Sequence, residues 1–129
     1  MDELNWMEFR ELVPARVETV LLPTGTLESH GVVNNGADIT APVDIAAGMA
    51  TKLNALISPV IPYGVTGNLD GYAGTFAISE AAYRAYVGDV LDGLARQGFR
   101  NIIVVNGHGG PQTAILNSLA EQASREHRV

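Results

Sequence analysis

Four residues carry side chains that ligate divalent metals, and they fall in two short stretches rich in glycine and asparagine. Glu28-Ser29-His30 sets a carboxylate and an imidazole two residues apart, so in extended backbone both project to the same side. Asp38 follows beyond Asn34, Asn35 and Gly36, which can fold the chain back toward His30. His108 sits in Asn106-Gly107-His108-Gly109-Gly110, where three glycines let the backbone turn sharply and leave the ring open to a ligand. Mixed nitrogen and oxygen ligation suits Zn²⁺, Mn²⁺ or Fe²⁺ better than Ca²⁺ or Cu(I). With 0 Cys in the chain, any metal must be held by imidazoles and carboxylates.

Taken singly, each residue has an ordinary reading. Glu-x-His is a common spacing, an Asp in a Gly/Asn stretch usually bonds its own backbone, and a His after a strand can satisfy a helix N-terminus. The NGHGG run can also form a phosphate-binding turn, although it lacks the GxGxxG and GxxxxGK[ST] spacings and any nearby Lys. Nucleophilic catalysis has little support, since there is no Cys, no GxSxG elbow and no Asp–His relay for Ser29. His127 reads as a surface residue.

What raises the four together is the set of elements that would position them. Trp6, Phe9 and Val13 have the spacing of a short amphipathic helix ended by Pro14. Val17–Leu22 reads as a first strand stopped by Pro23, followed by an aperiodic stretch, Thr24–Ala41. Pro42 suits the first turn of a helix running to about Leu56, with Ile45, Met49 and Leu53 on one inward face. Ile57–Ile61 reads as a second strand that Pro59 confines to an edge or a bulge. Residues 62–75 read as loop. Ser79 is the expected N-cap of a helix that turns Tyr83, Tyr86, Val87, Val90, Leu91 and Leu94 inward and ends at Gly98. Asn101–Val105 reads as a strand buried on both faces, and Gln112 to about Glu126 as a closing helix.

Strands alternating with helices predict a three-layer α/β/α fold on a mostly parallel sheet, a single domain over residues 1–129. In such folds the loops at the carboxyl ends of strands make the site. Segments 23–41 and 106–111 are two such loops, and they contain all four residues.

The bulk numbers agree with a globular protein: 129 residues, 47% hydrophobic, 17% charged. No apolar run approaches the roughly 20 residues of a membrane span, and the start lacks the order of a secretory signal. The expectation is a cytoplasmic protein with no membrane partner. A net charge of −6, one lysine and scattered arginines argue against nucleic acid.

Leu22-Pro23-Thr24-Gly25-Thr26-Leu27-Glu28-Ser29-His30-Gly31 resembles the L-P-x-G-S-x-E-x-H-G signature of the creatininase family of metal-dependent amidohydrolases. Ala37-Asp38 falls at that family's T-D aspartate, and Gly74-Thr75 is similar to its P-G-T-[IL] segment. Gly98-Phe99-Arg100-Asn101, then Asn106-Gly107-His108-Gly109-Gly110, is similar to its G-F-[KR]-x…N-G-H-G-G. The motifs keep their order over residues 22–110. The resemblance implies a parallel α/β core, a site of two divalent ions (Zn, Mn or Fe), and hydrolysis of C–N amide bonds in small, often cyclic compounds by a metal-activated water. It implies that Glu28 and His108 bind one ion, His30 the other, and that Asp38 bridges them. Tyr63, Thr66 and Tyr72 in loop 62–75 are the expected substrate lining.

The sequence departs from the family in three ways. His30-Gly31-Val32-Val33 stands where many members have H-G-P-H, and His30 lies slightly closer to Asp38. Complete members are much longer, and a later segment supplies a further metal-binding Glu and an acid/base His. No catalytic acid/base residue is identified in this chain. The alternative reading is therefore a non-catalytic, half-length binding or assembly module with a partial metal site. Either reading predicts a homo-oligomer, because apolar surface that another half would cover drives association.

Overall fold

The computed structural model describes residues 1–129. Three parallel strands, β1 (Thr19–Thr24), β2 (Ala55–Ile57) and β3 (Asn101–Asn106), form a sheet of order β2-β1-β3. Helix α2 (Ala37–Leu53) covers one face, while α3 (Glu80–Arg96) and α4 (Pro111–His127) pack together over the other. A short helix α1 (Trp6–Leu12) precedes the sheet, opened by an Asn5/Glu8 capping box. The three-layer parallel α/β arrangement is the one expected from the sequence.

Period-2 alternation explains the core. Val20 and Leu22 of β1 point into one cluster with Tyr83, Val87, Leu91 and Leu94 of α3 and Ile115, Leu116 and Leu119 of α4. Leu21 points the other way, toward α2. Phe99 closes the cluster, edge-on to Phe9 at 6.0 Å. The ends of α3 follow from two residues. The Ser79 hydroxyl caps the Ala82 N–H, and Gly98 (φ 105°) takes the left-handed position of a Schellman turn, with Phe99 N–H on the Leu94 carbonyl and Gly98 N–H on that of Ala95.

Four expectations need correction. Helix α2 begins at Ala37, so Asp38 lies in its first turn and not in a loop, and Pro42 sits inside the helix. Proline is tolerated there because the carbonyl it cannot satisfy, that of Asp38, faces Gly25 and Gly107, whose missing side chains leave it room. Second, the inward positions of α2 are Pro42 and Ala46; Ile45 and Leu53 are 53% and 41% exposed. Third, Tyr86 of α3 is 54% exposed, because the core face runs through Tyr83, Val87, Leu91 and Leu94. Fourth, the strand buried on both faces is β1, whereas β3 ends the sheet and is half-exposed. An apolar run records that a strand meets apolar neighbours, not which place it takes in the sheet. The segment around Pro59 behaves as an edge with a bulge: Ile61 still bridges to Thr24, with one residue more between Ile57 and Ile61 than between Leu21 and Thr24.

Candidate metal centre

Thr24 and Asn106 are register partners at the carboxyl ends of β1 and β3, so the segments that follow them leave the same edge of the sheet. After β1 the chain crosses to Glu28 and His30, with the Glu28 N–H on the Asn35 carbonyl and the Ser29 N–H on the Thr75 hydroxyl. Asp38 arrives from the first turn of α2, where the helix dipole favours its charge. His108 arrives from the turn between β3 and α4. Its N–H is held by Asn106 Oδ1, and its carbonyl accepts from Asn106 Nδ2.

The four residues named from the sequence converge. His108 Nδ1 lies 2.7 Å from Asp38 Oδ2 and 3.3 Å from Glu28 Oε1. His30 Nε2 lies 3.1 Å from the other Asp38 oxygen, Oδ1, and 3.8 Å from Glu28 Oε1. Donor atoms of Glu28, Asp38 and His108 all fall within 4.8 Å of one another. His30 approaches the same carboxylate on its opposite oxygen.

The remaining ring nitrogens fix what each imidazole offers. His30 Nδ1 donates to the Glu28 carbonyl (3.1 Å) and His108 Nε2 to the Val65 carbonyl (3.2 Å). A neutral ring whose proton is spent on a carbonyl presents a lone pair on its other nitrogen. Here both free nitrogens face carboxylate oxygens, an arrangement that is repulsive for the neutral rings unless a proton or a metal cation lies between them. Glu28 adds to this: it is 3% exposed, and its Oε2 is buried with no partner. Burial pushes the Glu28 carboxyl above its ordinary value; His108 opposes that rise and the Asp38 charge adds to it. Such a donor set, with one oxygen of its buried carboxylate left without a partner, fits divalent metal.

His30 is also raised, first by donation to the Glu28 carbonyl and further by the Asp38 and Glu28 charges, against an opposing burial effect. A raised imidazole stabilises the fold below its ordinary value of 6.5, and that contribution is lost as pH rises through its folded value. A raised carboxyl penalises the fold once it ionises. Both signs agree, so the metal-free protein is expected to unfold at a higher temperature in mildly acidic than in mildly alkaline buffer. Zinc should reverse the order, since ligation needs deprotonated donors. Melting curves of wild type and His30→Ala with and without zinc check this; a His30→Ala protein with the full wild-type pH dependence would contradict it.

Of the expected substrate lining, Thr66 is buried with an unpartnered hydroxyl. Tyr63 and Tyr72 are exposed, Tyr63 edge-on to Phe76 at 6.4 Å. Loop 62–75 meets the cluster through the Val65 carbonyl, a backbone contact with no side-chain signal in the sequence. Pro111 opens α4 at its first position, removing one N–H that a phosphate at NGHGG would use. Gln112 also went unmarked by the sequence; a fully buried carboxamide beside a ligand turn becomes visible only once folded.

Fold and site together define a parallel α/β domain with a carboxylate–imidazole cluster at the carboxyl edge of its sheet. Residues 2–129 match the family described as Creatininase: Creatinine amidohydrolase, and the chain belongs to that family. It is 31% identical over 112 residues to the creatinine amidohydrolase of Pseudomonas putida, covering 82% of this chain and 43% of that one. Two solved structures, a manganese form of creatininase and a Zn–Zn form of a creatininase mutant, superpose with a TM-score of 0.88 at 29% identity. Each superposition covers 99% of this chain and 52% of the other. The chain thus spans about half the length of the relatives it matches. No helix is long and apolar enough to cross a membrane.

Proposed function

We propose that this chain carries the Glu28, His30, Asp38 and His108 part of the metal site of a creatininase-type amidohydrolase, which hydrolyses a C–N amide bond of a small, often cyclic molecule. The observation that carries the reading is the Asp38 carboxylate, which turns one oxygen to His30 and the other to His108. In this reading Glu28 and His108 would hold one ion and His30 the second, with Asp38 available to both, and Zn, Mn or Fe would be the metal. The ions would supply Lewis acidity and a water deprotonated near neutral pH. Around them, Glu28 and Asp38 concentrate negative charge, the two backbone carbonyls orient the rings, and Tyr63, Thr66 and Tyr72 line the substrate side. The acid/base group is expected from the part of the family fold that lies outside these residues. Elemental analysis of protein purified without chelator tests the reading. Wild type is expected to hold Zn, Mn or Fe and a His30→Ala/His108→Ala protein very little, and equal low content in both would refute the site.

The open side of β3 favours a second reading, as an assembly module that forms a homo-oligomer. Asn101 N–H bonds the Glu18 carbonyl and Gly107 N–H that of Thr24, so by alternation the N–H groups of Ile102 and Val104 point away from β1. The strand reads Asn-Ile-Ile-Val-Val-Asn, with none of the charge, proline or bulge that usually protects an edge. Light scattering is expected to find an oligomer, and Val104→Pro to shift it toward monomer. A wild-type monomer across a wide concentration range would count against this reading, and amide hydrolysis by the isolated chain against a non-catalytic module.

A further inference from the structure

We propose that Gln112 is a positioning residue for the metal centre: through the Val65 peptide it fixes which nitrogen His108 turns to the ion. This rests on the metal reading above and adds a residue to it from outside the cluster. Gln112 lies in the first turn of α4 and is fully buried. Its Oε1 accepts the Val65 N–H at 3.1 Å, while its Nε2 donates to Asn106 Oδ1 at 3.0 Å and to the Gly25 carbonyl at 3.4 Å. The partners dictate the orientation of the carboxamide, since the Val65 N–H can only donate and the Gly25 carbonyl only accept. One side chain therefore ties together the segment after β1, loop 62–75 and the end of β3.

A buried glutamine of this kind usually has a purely structural role, and the next bond is what distinguishes this one. The peptide whose N–H Gln112 holds is that of Val65, and the Val65 carbonyl accepts His108 Nε2–H at 3.2 Å. With that proton committed, Nδ1 is the nitrogen facing Glu28 Oε1 and Asp38 Oδ2. Partners of a ligating imidazole set its tautomer and basicity, and their loss commonly costs about 10–100-fold in metal affinity. Gly64 makes the contact possible: a Cβ there would stand 1.9 Å from Gln112 Oε1 and 2.9 Å from the Gly25 carbonyl oxygen. The carboxamide thus has room only because the neighbouring residue has no side chain.

The test uses the full chain with ¹⁵N-labelled histidine, metal-free and zinc-loaded, together with zinc affinity from chelator competition. In wild type the His108 Nε2–H is expected to be protected from exchange, with zinc on Nδ1. Gln112→Leu should weaken zinc binding about 10-fold or more, and the Nε2–H should lose its protection while the His30 ring signals stay in place. Gly64→Ala, which displaces the carboxamide without altering Gln112, should do the same. Ile115→Val, buried one turn further along α4, should lower the unfolding temperature yet leave zinc affinity and the His108 signal unchanged. A folded Gln112→Leu protein with wild-type zinc affinity and a protected Nε2–H would overturn the proposal. So would wild-type protein binding zinc through His108 Nε2, an observation that needs no variant. Failure of wild type to take up zinc would instead sink the metal reading, and the metal-free exchange data would still decide whether Gln112 orients the ring.

Discussion

In the proposed two-ion centre, Asp38→Ala is expected to lose both ions at once, whereas His30→Ala and His108→Ala should each lose one. The reason is geometric: Asp38 turns a separate oxygen to each imidazole, Oδ1 at 3.1 Å and Oδ2 at 2.7 Å, whereas Glu28 reaches both rings only through Oε1 and at longer range, 3.3 and 3.8 Å. Loss of a residue that merely supports a ligand costs roughly 10–100-fold in affinity, so removing a shared ligand should exceed the upper end of that range. Zinc per chain after gel filtration is the direct readout, with circular dichroism to confirm that α2 persists. Asp38→Ala protein that still carries two zinc ions would show that the carboxylate is not shared. If His30→Ala and His108→Ala each emptied the site completely, a single-ion centre would replace the two-ion one.

Gly107→Ala should produce a large loss of stability for a small change in composition. A Cβ at residue 107 would lie 2.2 Å from the Asp38 carbonyl oxygen and 2.6 Å from Pro42 Cδ, a backbone atom and a rigid ring in one helix. Neither can rotate away, so the first turns of α2 must shift off the end of β3 and carry the Asp38 carboxylate with them. Overpacking of this severity costs about 3 kcal/mol, a drop in unfolding temperature on the order of 10 °C for a chain of this size. Zinc affinity should fall alongside. Gly109→Ala is the matched control, because a Cβ there meets nothing within 4 Å; its effect should stay within about 0.5 kcal/mol. Equal melting curves for the two variants would refute the close approach of α2 to the NGHGG turn.

Much of this was legible in the sequence, for local reasons. Ser79 and Gly98 announce the ends of α3 because a hydroxyl at an N-cap and a glycine at a left-handed turn act within a few residues of themselves. Pro59 interrupts the pairing beyond β2 for the same reason, leaving only the bridge of Ile61 to Thr24. The β-branched runs of β1 and β3 reveal strands, and alternation with helices makes the sheet parallel. Glu28, His30, Asp38 and His108 could be named from spacing and motif order. Their convergence then follows from one rule, that successive βα segments leave a parallel sheet at its carboxyl edge.

Other features had no local signature. Helix α2 starts five residues before its proline because Gly25 and Gly107, in distant parts of the chain, make space for the carbonyl that proline leaves free. The place of β3 at the sheet edge depends on which strands pair. Ile45, Leu53 and Tyr86 carry the right spacing for burial, and only the positions of neighbouring elements decide that they face outward.

By itself, then, the sequence determined the class of fold, its family and the four side chains that the fold brings together, because each is written in residues close together or in motifs in order. Tertiary structure alone decided which nitrogen of each imidazole is free, that both turn to one carboxylate, and that Gln112 and the Val65 peptide stand behind them. For His30 the partners are near in sequence, Glu28 and Asp38, and only the folded turn sets their geometry. For His108 and Gln112 these properties rest on hydrogen bonds between residues some 40 or more apart, such as Val65 with Gln112 (separation 47) and Val65 with His108 (separation 43), and they exist only once the loops have met.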